Sequence, residues 1–232
     1  MKLAIMQPYF FPYLGYWQQL RSVDCFIILD DVDFANRKWI NRNRILCNGA
    51  EYNLTLPVHR KSQHTKICNA SFVNEPSRLQ DMMATFRYAY RTAPFGADAL
   101  ALLRQTLPYP EHSVSPYLVN SIRTVCDYLG IQTPLCRASA LRPLHHEKGQ
   151  DGILALCRLL GADCYINAIG GTSLYNRADF LQNGIRLCFL QTDYPSISRR
   201  LAPNHPDYSI LHLIANYSKE DLAWMLRQYT LL

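Results

Sequence analysis

The sequence predicts an α/β fold: a Rossmann-like, mostly parallel sheet with an inserted β-hairpin region and a helical segment. Three observations carry this. Short, continuously apolar runs at residues 2–6 and 25–29 bracket a helical pattern, as strands covered on both faces do. A second set of such runs returns between residues 134 and 191. Between the two sets lie an Asn48-Gly49 turn signal and a long stretch of helical spacing. The 232 residues suit one domain, 1–232, with 77–130 a mainly helical segment inside it.

Taken in order, Lys2–Met6 reads as a buried strand and Leu14–Arg21 as a helix, with Leu14, Trp17 and Leu20 on its apolar side. Residues 25–29, CFIIL, complete a β-α-β unit, so Gln7 and Asp30 emerge at the same edge of the sheet. Between strand and helix stands MQPYFFPYLGYW. Pro8 and Pro12 fix φ and remove donors, so the chain turns there, beyond a strand's carboxyl end where parallel folds bind ligands. Its rings either line a pocket or pack as a hydrophobic lid.

The run DDVDFANRKWINRNRIL follows. Three aspartates (Asp30, Asp31, Asp33) precede Arg37, Lys38, Arg42 and Arg44, with Trp39 and asparagines interleaved. Such polar density beside a buried strand requires that the groups meet each other or a ligand. Both an internal ion-pair network and a polar site satisfy that requirement.

Residues 44–47 and 52–58 form the hairpin arms, and residues 66–73, KICNASFV, read as another strand. His59 and His64 flank a basic loop. Helices follow from Pro76, over residues 96–107, and from a Ser115 cap with Pro116 at the first helical position to a Gly130 stop. Their methionine and aromatic positions read as core. Residues 134–138 form a strand, His145-His146-Glu147 a polar loop, 153–160 a helix and 164–169 a strand running into Gly170-Gly171. Those glycines allow backbone N–H groups to approach an anion, with Thr172 and Ser173 adding hydroxyls. Arg177–Gln182 is a short helix and residues 185–191 a last apolar strand. A Pro-rich segment holding His205 and a helical tail over 219–229, capped by Ser218, close the chain.

Composition narrows the function classes. The hydrophobic fraction of 49% supports a full core, and the eight scattered cysteines, lacking any C-x-x-C, read as buried free thiols. Only four residues separate Lys2 from Gln7, too few for a signal peptide's apolar region, and no run approaches the roughly 20 residues of a membrane span. A cytoplasmic protein is expected. The net charge of +6 suits an anionic small-molecule partner, while the dispersed arginines speak against nucleic acid. No metal set is legible, since neighbours such as His145-His146-Glu147 do not converge on one ion. The sequence names no cofactor and no oligomeric state.

The blocks MQPYFFPYLGYW, DDVDFANRKWINRNRI, NLTLPV and CYINAIGGTSLY to GIRL, in this order and spacing, resemble the WbqC-like family over most of the chain. Gln7, Pro8, Pro12, Gly15 and Tyr16 match its first motif. Asp31, Trp39, Asn41, Arg42 and Asn43 match the second, and Tyr165 and Tyr175 a later block. Tyr13, Asn53 and Ala168 depart from the pattern, as does the chain after Tyr194. The resemblance implies a bacterial transferase of surface-polysaccharide (O-antigen type) biosynthesis, moving an acyl or aminoacyl group from a donor to an activated amino-sugar.

In that scheme Asp31 is the general base, Arg42 and Arg44 hold the anion, and Gln7, Asn41 and Asn43 orient the substrate. Tyr16 and Trp39 stack on a ring, and Gly170, Gly171 and Tyr175 complete the substrate site. Two rivals stand beside it. One is nucleotidyl transfer, since the layout is loosely similar to HxGH nucleotidyltransferases with Tyr13-Leu14-Gly15-Tyr16 at the comparable place and ISRR beyond the last strand. The other is a non-catalytic scaffold using the aromatics as an interface.

Overall fold

A computed structural model describes residues 1–35, 38–59, 62, 64–141, 147–201 and 207–232. Arg37, His145, His146 and His205 lie outside the described residues. The chain is α/β. Its main sheet has six strands: β1 (Lys2–Met6), β2 (Cys25–Ile28), β7 (Leu135–Arg137), β8 (Cys164–Ala168), β9 (Arg186–Thr192) and β10 (Tyr229–Leu231). Their order is β10-β9-β8-β1-β2-β7, with the first five in chain order parallel and β10 antiparallel. The chain adds β2 and β7 on one side of β1, then β8 and β9 on the other. The order therefore reverses at β1, and the gap between β1 and β8 is a topological switch point.

Alternation along these strands sorts the core onto two faces. Leu3, Ile5, Ile27, Tyr165 and Leu187 meet Ile153 and Leu156 of α6 (Gly149–Leu159) and Phe180 of α7 (Arg177–Gln182). Ala4, Phe26, Ile28 and Ile166 meet Leu14 and Trp17 of α1 (Leu14–Arg21) and Ile122 and Val125 of α4 (Val114–Leu129). Helices on both faces explain the near-continuous apolar strands.

Beyond β2 the chain builds the hairpin of β3 (Arg42–Cys47) and β4 (Ala50–Thr55), in register Ile45 to Tyr52. Asn48 (φ 52°) and Gly49 (φ 75°) both take the left-handed conformation that a two-residue hairpin turn demands. Residues 66–73 differ from expectation: only Ser71–Phe72 is a strand (β6), pairing with β5 (Val58–His59), and Ile67–Asn69 is a 3₁₀ turn. This segment bends over the edge of the sheet instead, Cys68 N–H donating to the Asp30 carbonyl at 2.8 Å and Ile67 N–H to that of Val32 at 3.0 Å. Buried carbonyls beyond β2 need these donors, and a straight strand would not supply them.

Helices α2 (Pro76–Ala89), α3 (Gly96–Thr106) and α4 follow, and Gly130 ends α4 with φ 68°. Ser115 is not the cap of α4: the helix begins at Val114, and Ser115 lies inside it, buried, its hydroxyl bonded to the Asp30 carboxylate. A cap would use the hydroxyl as an acceptor, whereas here it donates to a buried carboxylate that would be costly to leave without donors.

The short α5 (Ala138–Leu141) follows β7. After β9, α8 (Tyr194–Leu201) and α9 (Ile210–Asn216) form where the sequence showed no clear period. Helix α10 (Lys219–Met225) has its expected Ser218 cap, Asp221 N–H donating to the hydroxyl at 3.1 Å. It stops at Met225, and the chain then adds β10 to β9, so β9 is not the last strand. All eight cysteines are free thiols. No helix among the described residues is long and apolar enough to cross a membrane.

Candidate functional site

The turn at residues 7–13 is part of the core. Phe10, Phe11, Tyr16 and Trp17 are at most 1% exposed, while Gln7, Tyr9 and Tyr13 are half-buried. Phe11 takes φ 44°, which a bulky residue holds only when its surroundings enforce it. The fasteners are visible. Asn43 Nδ2 donates to the carbonyls of Phe10 (3.1 Å) and Phe11 (2.8 Å), Ser209 Oγ also donates to Phe11 (2.9 Å), and Ile210 N–H donates to Pro12 (3.0 Å). Tyr16 donates its hydroxyl to the Gln7 carbonyl at 3.3 Å. Burial raises the Tyr16 phenol well above its ordinary range and pushes Tyr9 up to about 12.

Asn41, Asn43 and Arg44 of DDVDFANRKWINRNRIL are engaged with the protein itself. Asn41 Nδ2 donates to the Leu56 carbonyl at 2.8 Å. Arg44 forms ion pairs with Glu51 (3.1 Å) and Asp207 (2.6 Å), and its guanidinium lies 5.2 Å from the Trp39 ring centre and 5.3 Å from that of Tyr208. Arg42 opens β3 opposite Thr55, half-buried.

The acidic half lies elsewhere, at the carboxyl edge of the sheet. Asp30 is fully buried at the end of β2. Its carboxylate accepts from Ser115 Oγ (2.5 Å), Ser139 N–H (2.9 Å) and Ser139 Oγ (2.8 Å), which ties the exit of β2 to α4 and α5. Leu29 and Asp31, on either side of Asp30, open instead into a cavity of about 480 Å³. Asp33 and Lys66 line it too, the two residues forming an isolated antiparallel bridge. The other lining residues are Glu147, Lys148, and Gly149, Gly152 and Ile153 of α6, and Tyr175 reaches the cavity from the loop after β8. The N-cap residue of α6, Lys148, makes no side-chain cap bond, and the first turn, which holds Asp151, brings the positive end of the helix dipole to this side.

Tyr175 is well located. Gln150 Oε1 accepts from Asn176 N–H at 2.6 Å, tying the loop to α6, and the Tyr175 ring stands edge-on to Tyr165 (5.7 Å) and Phe180 (5.8 Å). The loop itself is a 3₁₀ turn, Ile169–Leu174. Gly171 is needed there, because a Cβ on it would lie 2.7 Å from Asn167 Nδ2. Gly170 has open space around it. Gln7 follows β1 at the switch point.

Of the residues expected to act together, the structure brings Asp31 and Tyr175 to one cavity. It places Tyr16, Trp39, Asn41, Asn43 and Arg44 in the packing of the first turn and the hairpin. Sequence reasoning missed Lys66, Lys148, Gly149 and Gly152. The legible signal was EKGQDG, a polar, glycine-bearing start to an apolar helix in a β-α-β unit. Two lysines, three carboxylates and a helix N-terminus facing one space can bind an anion and move a proton. Among the described residues no three His, Cys, Asp or Glu side chains converge as metal ligands.

Comparison with known proteins yields a relative 26% identical over 222 residues, covering 94% of this chain and 95% of its own length: uncharacterized protein Rv1507c of Mycobacterium tuberculosis. No solved structure matches the chain. The WbqC-like protein family matches residues 7–223, nearly the whole of the α/β unit that carries the cavity, and the chain belongs to that family.

Proposed function

We propose that the chain is a transferase acting on a nucleotide-linked or otherwise phosphorylated amino-sugar in bacterial surface-polysaccharide (O-antigen type) synthesis, in the cytoplasm, with an acyl or aminoacyl donor. One observation carries the reading: the cavity at the sheet's carboxyl edge joins Asp31 and Tyr175 to Lys66, Lys148 and the start of α6. Asp31 takes the proton from the acceptor amine or hydroxyl as its lone pair attacks the acyl carbon, and the donor's leaving group departs with the bonding electrons. Lys66, Lys148 and the α6 N–H groups hold the phosphate, and Tyr175 sets the sugar. The anion thus passes from Arg42 and Arg44 to the lysines, since Arg44 already serves Glu51 and Asp207. Gln7, Gly170 and Gly171 stand at the neighbouring switch point and extend the substrate site.

The test is titration of nucleotide-sugars and acyl donors against the purified protein, with products followed by mass spectrometry. Lys148→Met should weaken sugar-phosphate binding about tenfold, or about 1.4 kcal/mol. Asp31→Asn should bind but not transfer. Undiminished transfer in Asp31→Asn overturns the reading.

One observation favours the nucleotidyl alternative. The Tyr13-Leu14-Gly15-Tyr16 turn abuts the end of β9, a Cβ on Gly15 lying 3.2 Å from Oγ1 of Thr192, the last residue of that strand, shortly before α8 and its ISRR residues. Pyrophosphate release from a nucleoside triphosphate and a sugar phosphate tests it. An interface built from the first-turn rings, as the scaffold reading requires, is disfavoured by their burial.

A further inference from the structure

A second cavity of about 440 Å³ lies on the other side of the Asp30 network, between one face of α4 (Pro116, Val119, Asn120, Arg123), the edge strand β7 and α5. None of its lining residues belongs to the cavity of Asp31. The two are separated by buried polar contacts: Pro116 and Ala140 line this one, and their neighbours Ser115 and Ser139 bond Asp30.

Its chemistry is one-sided. Arg123 and Arg137 line it, no carboxylate does, and among the described residues neither guanidinium has an ion-pair or hydrogen-bond partner. Both arginines are exposed, so their positive field reaches an arriving solute. The carboxamide of Asn120 stands one helical turn from Arg123 on the same face, within the spacing at which helix neighbours meet. The rest of the lining is apolar: Val119, Leu135 and Leu141, with the half-buried Tyr109 ring.

We infer that this cavity binds a small organic phosphate, the phosphoryl group held by Arg123, Arg137 and Asn120 and its ring or aliphatic body set against Tyr109, Val119 and Leu135. Arginine forks suit phosphate oxygens, and an aromatic wall suits a flat body. A bare inorganic anion would leave the apolar half unused. The site is independent of the transfer reading, because it shares no residue with that cavity.

Phenyl phosphate is the probe, followed by amide NMR on the intact chain and by calorimetry, with inorganic phosphate as the anion without a body. Phenyl phosphate should bind saturably, at least tenfold tighter than inorganic phosphate, and shift the Tyr109, Asn120 and Leu135 amides. Arg123→Gln/Arg137→Gln, two exposed positions, should weaken it at least tenfold, and Asp31→Asn should not change it. Uridine monophosphate and glucose 1-phosphate then distinguish a nucleotide from a sugar phosphate as source, by which of them moves the same amides. Failure of phenyl phosphate to bind, equal affinity for inorganic phosphate, an unaffected double variant, or loss of binding in Asp31→Asn would each overturn the inference. Failure of acyl transfer would not touch it.

Discussion

Two regions drawn from one run of sequence have opposite characters. Asp31 and Asp33 open onto the carboxyl-edge cavity, with Lys66, Lys148 and Tyr175 around them. A few residues later, Asn43 and Arg44 spend their donors on Phe10, Phe11, Glu51 and Asp207. Polar density is alike in both; destination differs. Groups that saturate each other make a fastening, and groups that face a shared space make a site.

Substitutions in the two regions should separate turnover from stability. Asp31→Asn should reduce turnover by roughly 100- to 10,000-fold, the worth of a general base, with sugar-phosphate affinity retained. A large loss of stability there would make Asp31 a fastener as well. Asn43→Ala should do the reverse. It leaves the Phe10 carbonyl without its side-chain donor, while Ser209 still serves Phe11, and costs about 2 kcal/mol in urea unfolding, with ligand affinity at the cavity retained.

Alkaline pH probes the core beneath both regions. Burial pushes the thiols of Cys126 and Cys157 up to about 12, above the ordinary value of 9.0. Below pH 9 the folded and unfolded chains are both protonated at these groups and nothing is lost. As pH rises towards 12 the unfolded chain alone gives up the protons, so stability should fall by about 1.4 kcal/mol per pH unit per thiol. Replacing either thiol by alanine should flatten that slope. The smallest effect is expected of Arg44→Met. Its carboxylate partners are 53% and 55% exposed, so about 1 kcal/mol of stability or less is at stake, and affinity at the cavity should not change. Abolished ligand binding in Arg44→Met would return the arginine to the site.

Much of the fold was legible because its signals are local. The apolar runs of β1, β2, β8 and β9, the Asn48-Gly49 turn and the stop at Gly130 announce themselves within a few residues. Elements decided by distant partners were not. Strand β10 exists because β9 offers an edge, and residues 66–70 bend because carbonyls beyond β2 need donors. Ser115 looked like a cap because its neighbour is proline, yet the stronger demand came from Asp30, 85 residues earlier. The site was half legible for the same reason. Asp31 and Tyr175 stood in recognisable blocks, while Lys66 and Lys148 reach the cavity only through topology.

The fastening of the first turn also bears on how the molecule is made. The Phe11 carbonyl is served by Ser209, 198 residues away, and the Gln18 carboxamide reaches the Gln228 carbonyl across 210 residues. During synthesis the turn emerges well before these partners do. A left-handed φ at a phenylalanine has no local support, so the conformation seen here becomes stable only once the C-terminal helices are present. Closure of such long loops is the slow part of folding. The exit of the first strand is thus sealed only when a segment 198 residues downstream has closed onto it.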